Sequence, residues 1–243
     1  MRILIIRHGD PDYTIDSLTE KGWREAELLS RRMEKEQVTA FYCSPLGRAQ
    51  DTASLTLRRM NRTAETLPWL REFPTKIIDA KTGKPRAVAW DMLPADWADD
   101  SRYYDINHWT EPDIMQTGPL KEDAQAVFDG LDAVLARHGY TRKGGYYTTE
   151  QGNDDTIVFF CHFGVECVML GHLLNISPML LWHGFIALPT SVTEVYTEER
   201  VKGQVSFRTH YFGCCSHLMQ ANEPLSPSGC FCDVYEHFDQ RHE

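Results

Sequence analysis

Long apolar runs are missing from this 243-residue chain. The first, Arg2-Ile3-Leu4-Ile5-Ile6, is too short for a signal-peptide core or a membrane span, and no later segment reaches transmembrane length. A cytoplasmic protein without a membrane partner is therefore expected. Positive charge is scarce as well: 25 Lys and Arg stand against 35 Asp and Glu, for a formal charge of −10. Because the acidic residues are spread along the chain, broad attraction to nucleic acid or to an anionic membrane is excluded, and any anion site must be a local arginine pocket. Seven cysteines, an odd count without a secretion signal, do not make a disulfide framework, and reduced thiols are the default. Internal repeats and low-complexity segments are absent.

What is present, 42% hydrophobic and 25% charged residues, suits one globular domain over 1–243 that buries a large core. Residues 2–6 read as a buried parallel strand. Thr19 is placed as the N-cap of a helix from Glu20 to about Lys35, with Trp23, Ala26, Leu29 and Met33 on its buried face. Residues 39–43 read as a second strand, with Ser44 as N-cap and Pro45 opening the next helix, and 64–70 as a third strand. An amphipathic helix is predicted over 121–138, then a loop or short hairpin over 144–155, a strand over 156–161 and a helix over 165–174. Residues 191–197 and 204–211 alternate as an antiparallel pair expected at the sheet edge. The pattern predicts a three-layer α/β/α sandwich with a mostly parallel central sheet. Residues 74–119, rich in Trp, Tyr and Asp and broken by prolines, read as a cap insertion that serves both as an aromatic satellite core and as a lid. A distinct C-terminal tail is expected from 212.

Arg7-His8-Gly9 closes the first strand, where a parallel sheet presents its ligand sites. Ser44-Pro45-Leu46-Gly47-Arg48-Ala49, Leu70-Arg71-Glu72 and Cys161-His162-Phe163-Gly164 follow in that order. Four separated motifs in this order resemble the histidine phosphatase superfamily, the phosphoglycerate mutase-like proteins with an N-terminal Arg-His-Gly. The resemblance implies the same sandwich fold and a metal-independent phosphomonoesterase that passes phosphate through a phosphohistidine.

On that reading His8 is the nucleophile, with one ring nitrogen free and the other held by an acceptor such as a backbone carbonyl. Placed at a loop start, His8 is expected to be replaceable without loss of the fold. Arg7 and Arg48 clamp the phosphoryl group, because guanidinium donates paired hydrogen bonds and keeps its proton. His162 steadies the transferring charge, and the backbone at Phe163 adds a donor. Glu72 is the candidate general acid, with Asp10, Asp12 and Asp91 as alternatives, since Phe73-Pro74-Thr75-Lys76 stands where a glycine-rich turn is common. Thr19 matches a segment near the phosphate site. No metal and no cofactor is needed, and the partner is a phosphorylated small molecule or phosphoprotein.

A mutase is the nearest alternative, but Asp10-Pro11-Asp12-Tyr13 lacks the Ser and Trp-Asn expected after Arg-His-Gly. A non-catalytic scaffold on the same fold is the other. Cys214, Cys215, His217, Cys230, Cys232 and His237 gather near the C-terminus and could hold zinc, although free thiols suit their spacing better.

Overall fold

Alternation along β1 (Arg2–Arg7) divides the protein into its layers. Ile3 and Ile5 face one core, Leu4 and Ile6 the other, and all four are at most 2% exposed. The computed structural model describes residues 1–79, 83–86 and 88–230. After β1 come α1 (Glu20–Met33), β2 (Ala40–Cys43), α2 (Gly47–Met60) and the two-residue β3 (Glu65–Thr66). Beyond the insertion lie α3 (Leu120–Arg137), β4 (Thr141–Lys143), β5 (Tyr146–Thr148) and β6 (Thr156–Cys161). Then follow α4 (Phe163–Leu174), α5 (Pro178–Gly184), β7 (Val192–Val201), β8 (Gln204–Cys214) and α6 (Ser216–Gln220).

The eight strands form one sheet in the order β3-β2-β6-β1-β7-β8-β5-β4. Leu29 and Met33 of α1 and Ala49 and Ala53 of α2 cover the face of Leu4 and Ile6. Leu131 and Leu135 of α3 and Val165, Val168 and Met169 of α4 cover the other. The three-layer sandwich is therefore present, but its sheet is mixed. From β3 to β1 the pairings are parallel, and from β1 to β4 they are antiparallel.

The difference from a mostly parallel sheet arises at β7. Only its first four residues, Val192 to Val195, are fully buried, beside β1, and the remainder runs outward with the surface pattern of an edge. The β7–β8 hairpin thus lies inside the sheet, and the β4–β5 hairpin forms that edge. Residues 64–70 supply only β3 and a 3₁₀ turn at Pro68–Leu70. Trp23 is 37% exposed, because the buried stripe of α1 runs through Gly22, Ala26, Leu29 and Met33. A side chain at Gly9 would come within 2.9 Å of the Gly22 carbonyl, so the two glycines let α1 approach the end of β1.

The insertion carries a ribbon pairing Ile77–Ile78 with Pro85–Arg86 and a short helix, Pro94–Trp97. Its Tyr103, Trp109 and Met115 are at most 2% exposed and join the core of α3 and α4 instead of forming a satellite of their own. Residues 212–214 complete β8, so the chain leaves the sheet only after Cys214. Among the described residues no helix is long and apolar enough to cross a membrane. Their six cysteines are free and no group of three or more His, Cys, Asp or Glu could hold a metal. Cys232 and His237 lie outside the described residues.

Candidate active site

Register brings the motifs together. Arg7 of β1 is paired with Cys161 of β6, and Phe160 of β6 with Cys43 of β2, so three parallel strands end level. The next residues are His8, His162 and Ser44. The His8 N–H donates to the Cys161 carbonyl at 3.0 Å and the Ser44 N–H to that of Phe160 at 2.9 Å, carrying the ladder one step beyond the strands. The imidazoles of His8 and His162 then lie with centroids 5.1 Å apart and planes inclined at 56°. Both residues are at most 1% exposed.

Each ring has one engaged nitrogen and one free. His8 Nδ1 lies 2.7 Å from the Gly9 carbonyl, which can only accept, so Nδ1 carries the proton and Nε2 keeps its lone pair. Burial, followed by the charges of Arg7 and Arg48, pushes the His8 pKa well below the usual value and holds the ring neutral. His162 Nε2 meets Ser44 Oγ at 2.7 Å. Ser44 Oγ accepts from the Leu46 N–H at 3.2 Å and, with Ser44 fully buried, His162 Nε2 is the acceptor among the described residues that its hydroxyl proton can reach. That leaves the proton of His162 on Nδ1, a buried atom with no hydrogen-bond partner among the described residues.

Two arginines flank the rings. Arg7 is 6% exposed, and its Nη1 donates to the carbonyls of Ala187 at 2.6 Å and Ser228 at 3.3 Å. Arg48 falls in the first turn of α2, as its spacing from Ser44 predicts, although Leu46 rather than Ser44 is the capping residue. Asp16 holds Arg48 Nη1 at 2.5 Å and Tyr13 lies over the guanidinium, 5.4 Å from its centre to the ring centroid. Among the described residues the buried Nε atoms of both arginines have no partner.

Glu72 approaches from the insertion side, at the start of α4. Its Oε1 accepts from the N–H groups of Phe73 at 2.8 Å and Val165 at 3.3 Å. Burial raises its pKa, against the opposing pull of those N–H groups and of Arg7 and Arg48. A side chain at Gly164 would strike Trp90 Nε1 at 2.6 Å and Glu72 Oε1 at 2.7 Å, so glycine admits both groups beside His162. Trp90 Nε1 is buried with no partner among the described residues, and its ring meets Phe163 edge-on at 5.9 Å.

The other carboxyl candidates are placed differently. Asp10 accepts from Thr19 Oγ1 and Ser226 Oγ. Asp12 is bonded by Thr14, whose hydroxyl and N–H hold its pKa below the usual range. Asp91 lies in the insertion. Thr19 caps α1, accepting from the Gly22 N–H at 3.0 Å and donating to Asp10, which occupies its hydroxyl. Phe163 opens α4, where the first N–H groups of a helix have no partner inside it.

The family model of the histidine phosphatase superfamily, branch 1, matches residues 3–208. The chain belongs to the histidine phosphatase superfamily. A 2,3-bisphosphoglycerate-dependent phosphoglycerate mutase of Thermoplasma acidophilum is 33% identical over 93 residues, a segment covering 34% of this chain and 43% of that enzyme. A mycobacterial glucosyl-3-phosphoglycerate phosphatase superposes with a TM-score of 0.61 at 19% identity, over 88% of this chain and 98% of its own. A phosphoserine phosphatase mutant from Entamoeba histolytica, in complex with phosphoserine, gives 0.58 at 16% identity over 89% and 98%.

Three groups at this superfamily site lie outside the residues singled out from sequence. Ser44 stands inside a quoted motif but reads there only as a cap, and Asp16 is one of many aspartates. Glu166 is 1% exposed and, a loose contact with Thr193 apart, neither carboxyl oxygen has a partner. Burial pushes its pKa from 4.5 to about 8, so the folded protein keeps a proton that the unfolded chain loses. Its contribution to stability is full below pH 4.5 and is lost as pH rises towards 8. Glu166→Gln, neutral at every pH, is expected to gain on the wild type by about 1.4 kcal/mol per pH unit in that window, roughly 3 kcal/mol between pH 5.5 and 7.5. Urea denaturation of both proteins at those two pH values checks this, and an unchanged gap would contradict it.

Proposed function

We propose that the protein is a metal-independent phosphomonoesterase acting through a phosphohistidine on His8. The observation that carries this reading is a set of buried N–H groups beside His8 that have no partner among the described residues: Nε of Arg7 and Arg48, and Nδ1 of His162. Unpaired buried donors are costly in a folded protein, and a phosphoryl group offers them charged acceptors.

His8 Nε2 attacks phosphorus, forming the N–P bond as the ester P–O bond breaks. Glu72, whose pKa burial raises, is the group placed to give a proton to the departing oxygen. The resulting carboxylate takes a proton from the water that attacks phosphorus, the N–P bond breaks, and His8 returns with its lone pair. Arg7, Arg48 and His162 bear the phosphoryl charge throughout, with the N–H groups of Phe163 and Gly164 at the positive end of α4.

A small phosphorylated metabolite suits the site better than a phosphoprotein. His8 and His162 are at most 1% exposed, Trp90 and Glu72 crowd Gly164 close by, and the Ser228 carbonyl bonds Arg7, which leaves little room for a bulky substrate. The phosphatases superposed above carry the names of substrates of that size.

Phosphate release across a panel of phosphorylated metabolites tests the reading, run beside phosphoglycerate isomerisation because the Thermoplasma acidophilum relative is a mutase. Release without isomerisation is expected. Since protein groups supply all the positive charge, prolonged chelation should leave activity intact. Loss restored only by a divalent ion would overturn the metal-independent mechanism.

A further inference from the structure

The peptide that joins His8 to Gly9 is gripped from both sides. Its carbonyl accepts from the Thr190 N–H at 3.1 Å, and its N–H donates to Thr52 Oγ1 at 2.9 Å. The Thr52 hydroxyl in turn donates to the Arg48 carbonyl at 2.7 Å. The next carbonyl along the chain, that of Gly9, is the acceptor for His8 Nδ1. Fixing the first peptide plane therefore directs the second carbonyl, and through it the tautomer and aim of the imidazole.

Thr190 is a poor intrinsic choice for this post. Its φ is +56°, in the left-handed region that a β-branched residue disfavours and that Gly or Asn enters more easily. The side chain is completely buried, and its Oγ1 lies 3.1 Å from His217 Nε2. Arg32, which can only donate, directs Nη1 towards His217 Nδ1 at 3.5 Å. Nδ1 is then the acceptor, and Nε2 carries the proton that reaches Thr190. Burial, with Arg32 alongside, lowers the His217 pKa to about 4 and keeps the ring neutral.

The same turn serves both ends of the Arg7-His8 pair. The Ser191 carbonyl accepts from the Arg7 N–H at 3.2 Å, and the Ala187 carbonyl from Arg7 Nη1. Neither Thr190 nor His217 has any part in the phosphate chemistry.

We propose that Thr190, latched in the left-handed conformation by His217, is a positioning residue for His8. The disfavoured backbone is retained because it aims the Thr190 N–H at the His8 carbonyl, and the His217 bond to the hydroxyl holds it there. This rests on His8 being the nucleophile.

Four variants test the latch. Thr190→Gly takes the left-handed conformation freely but deletes the hydroxyl, and Thr190→Ser retains it. His217→Leu removes the donor, and His217→Gln replaces it. With an aryl phosphate, Thr190→Gly and His217→Leu are expected to lower kcat about tenfold, with KM within about twofold, at temperatures where each variant is fully folded. Thr190→Ser and His217→Gln should recover most of the loss. In the substrate-free protein, ¹⁵N NMR should show His8 as a single Nδ1–H tautomer in the wild type and as a mixture in the two impaired variants. Wild-type kcat and an unmixed His8 tautomer in folded Thr190→Gly or His217→Leu would overturn the proposal. So would a loss of kcat that follows Tm in all four variants. Full turnover by His8→Ala would instead defeat the nucleophile reading, and the ring signals would still decide the latch.

Discussion

Replacing His8 with alanine is expected to reduce turnover by roughly 10⁴-fold or more, since it removes the ring nitrogen whose lone pair is free to attack phosphorus. The neighbouring imidazole, His162, uses Nε2 for Ser44 and presents Nδ1 as a donor, so it has no lone pair to substitute. Viewed from the sequence, His8 begins a loop and could be removed without cost to the fold, but it is only 1% exposed and its ring bonds the Gly9 carbonyl. Alanine there leaves a small void and an unpaired carbonyl, a penalty of about 1 to 3 kcal/mol. His8→Asn, which keeps polar volume and a donor, should be as inactive while losing less stability. Steady-state rates on variants shown to be folded check both statements, and substantial turnover by either variant would remove His8 from the mechanism.

Glu72→Gln should separate substrates by their leaving groups. An aryl phosphate whose phenol has a pKa of about 7 departs with little help, whereas an alcohol with a pKa on the order of 14 needs a proton. Alkyl phosphates are expected to slow by roughly 100-fold or more, and aryl phosphates much less. The substitution suits the local structure: one carboxyl oxygen accepts both the Phe73 and Val165 N–H groups, and the amide oxygen of Gln can do the same. Equal losses on the two substrate classes would move the proton to another carboxylate. Asp10, Asp12 and Asp91 are the next to test, with Asp12 the least suited because its bonds from Thr14 lower its pKa.

What could be read from the sequence was governed by local rules. The short apolar runs at 2–6, 39–43 and 156–161 give three strands because they are buried on both faces, and a motif at the end of each brings His8, Ser44 and His162 to one edge. Arg48 follows from its place in the first turn of a helix. Contacts distant in the chain leave no such trace. The interior position of the β7–β8 hairpin depends on pairing with β1 some 190 residues away, whereas its outer half is mostly exposed in β7 and alternates at the start of β8 as any surface ribbon does. Ser44 looks like a cap until His162 arrives from 118 residues further along. Trp90, Glu166 and Thr190 carry no motif, and they matter only because the fold brings the insertion, α4 and the turn before β7 up to the same pocket.

Phosphoryl transfer to His8 is open to direct trapping. The wild-type protein is mixed with a ³²P-labelled phosphomonoester, quenched within milliseconds under alkaline denaturing conditions, digested and mapped by mass spectrometry. Label on the peptide bearing Arg7-His8-Gly9, stable to base, lost in acid and absent from His8→Asn, is the expected result. Turnover without any such label, or label that persists in His8→Asn, would contradict a phosphohistidine at His8.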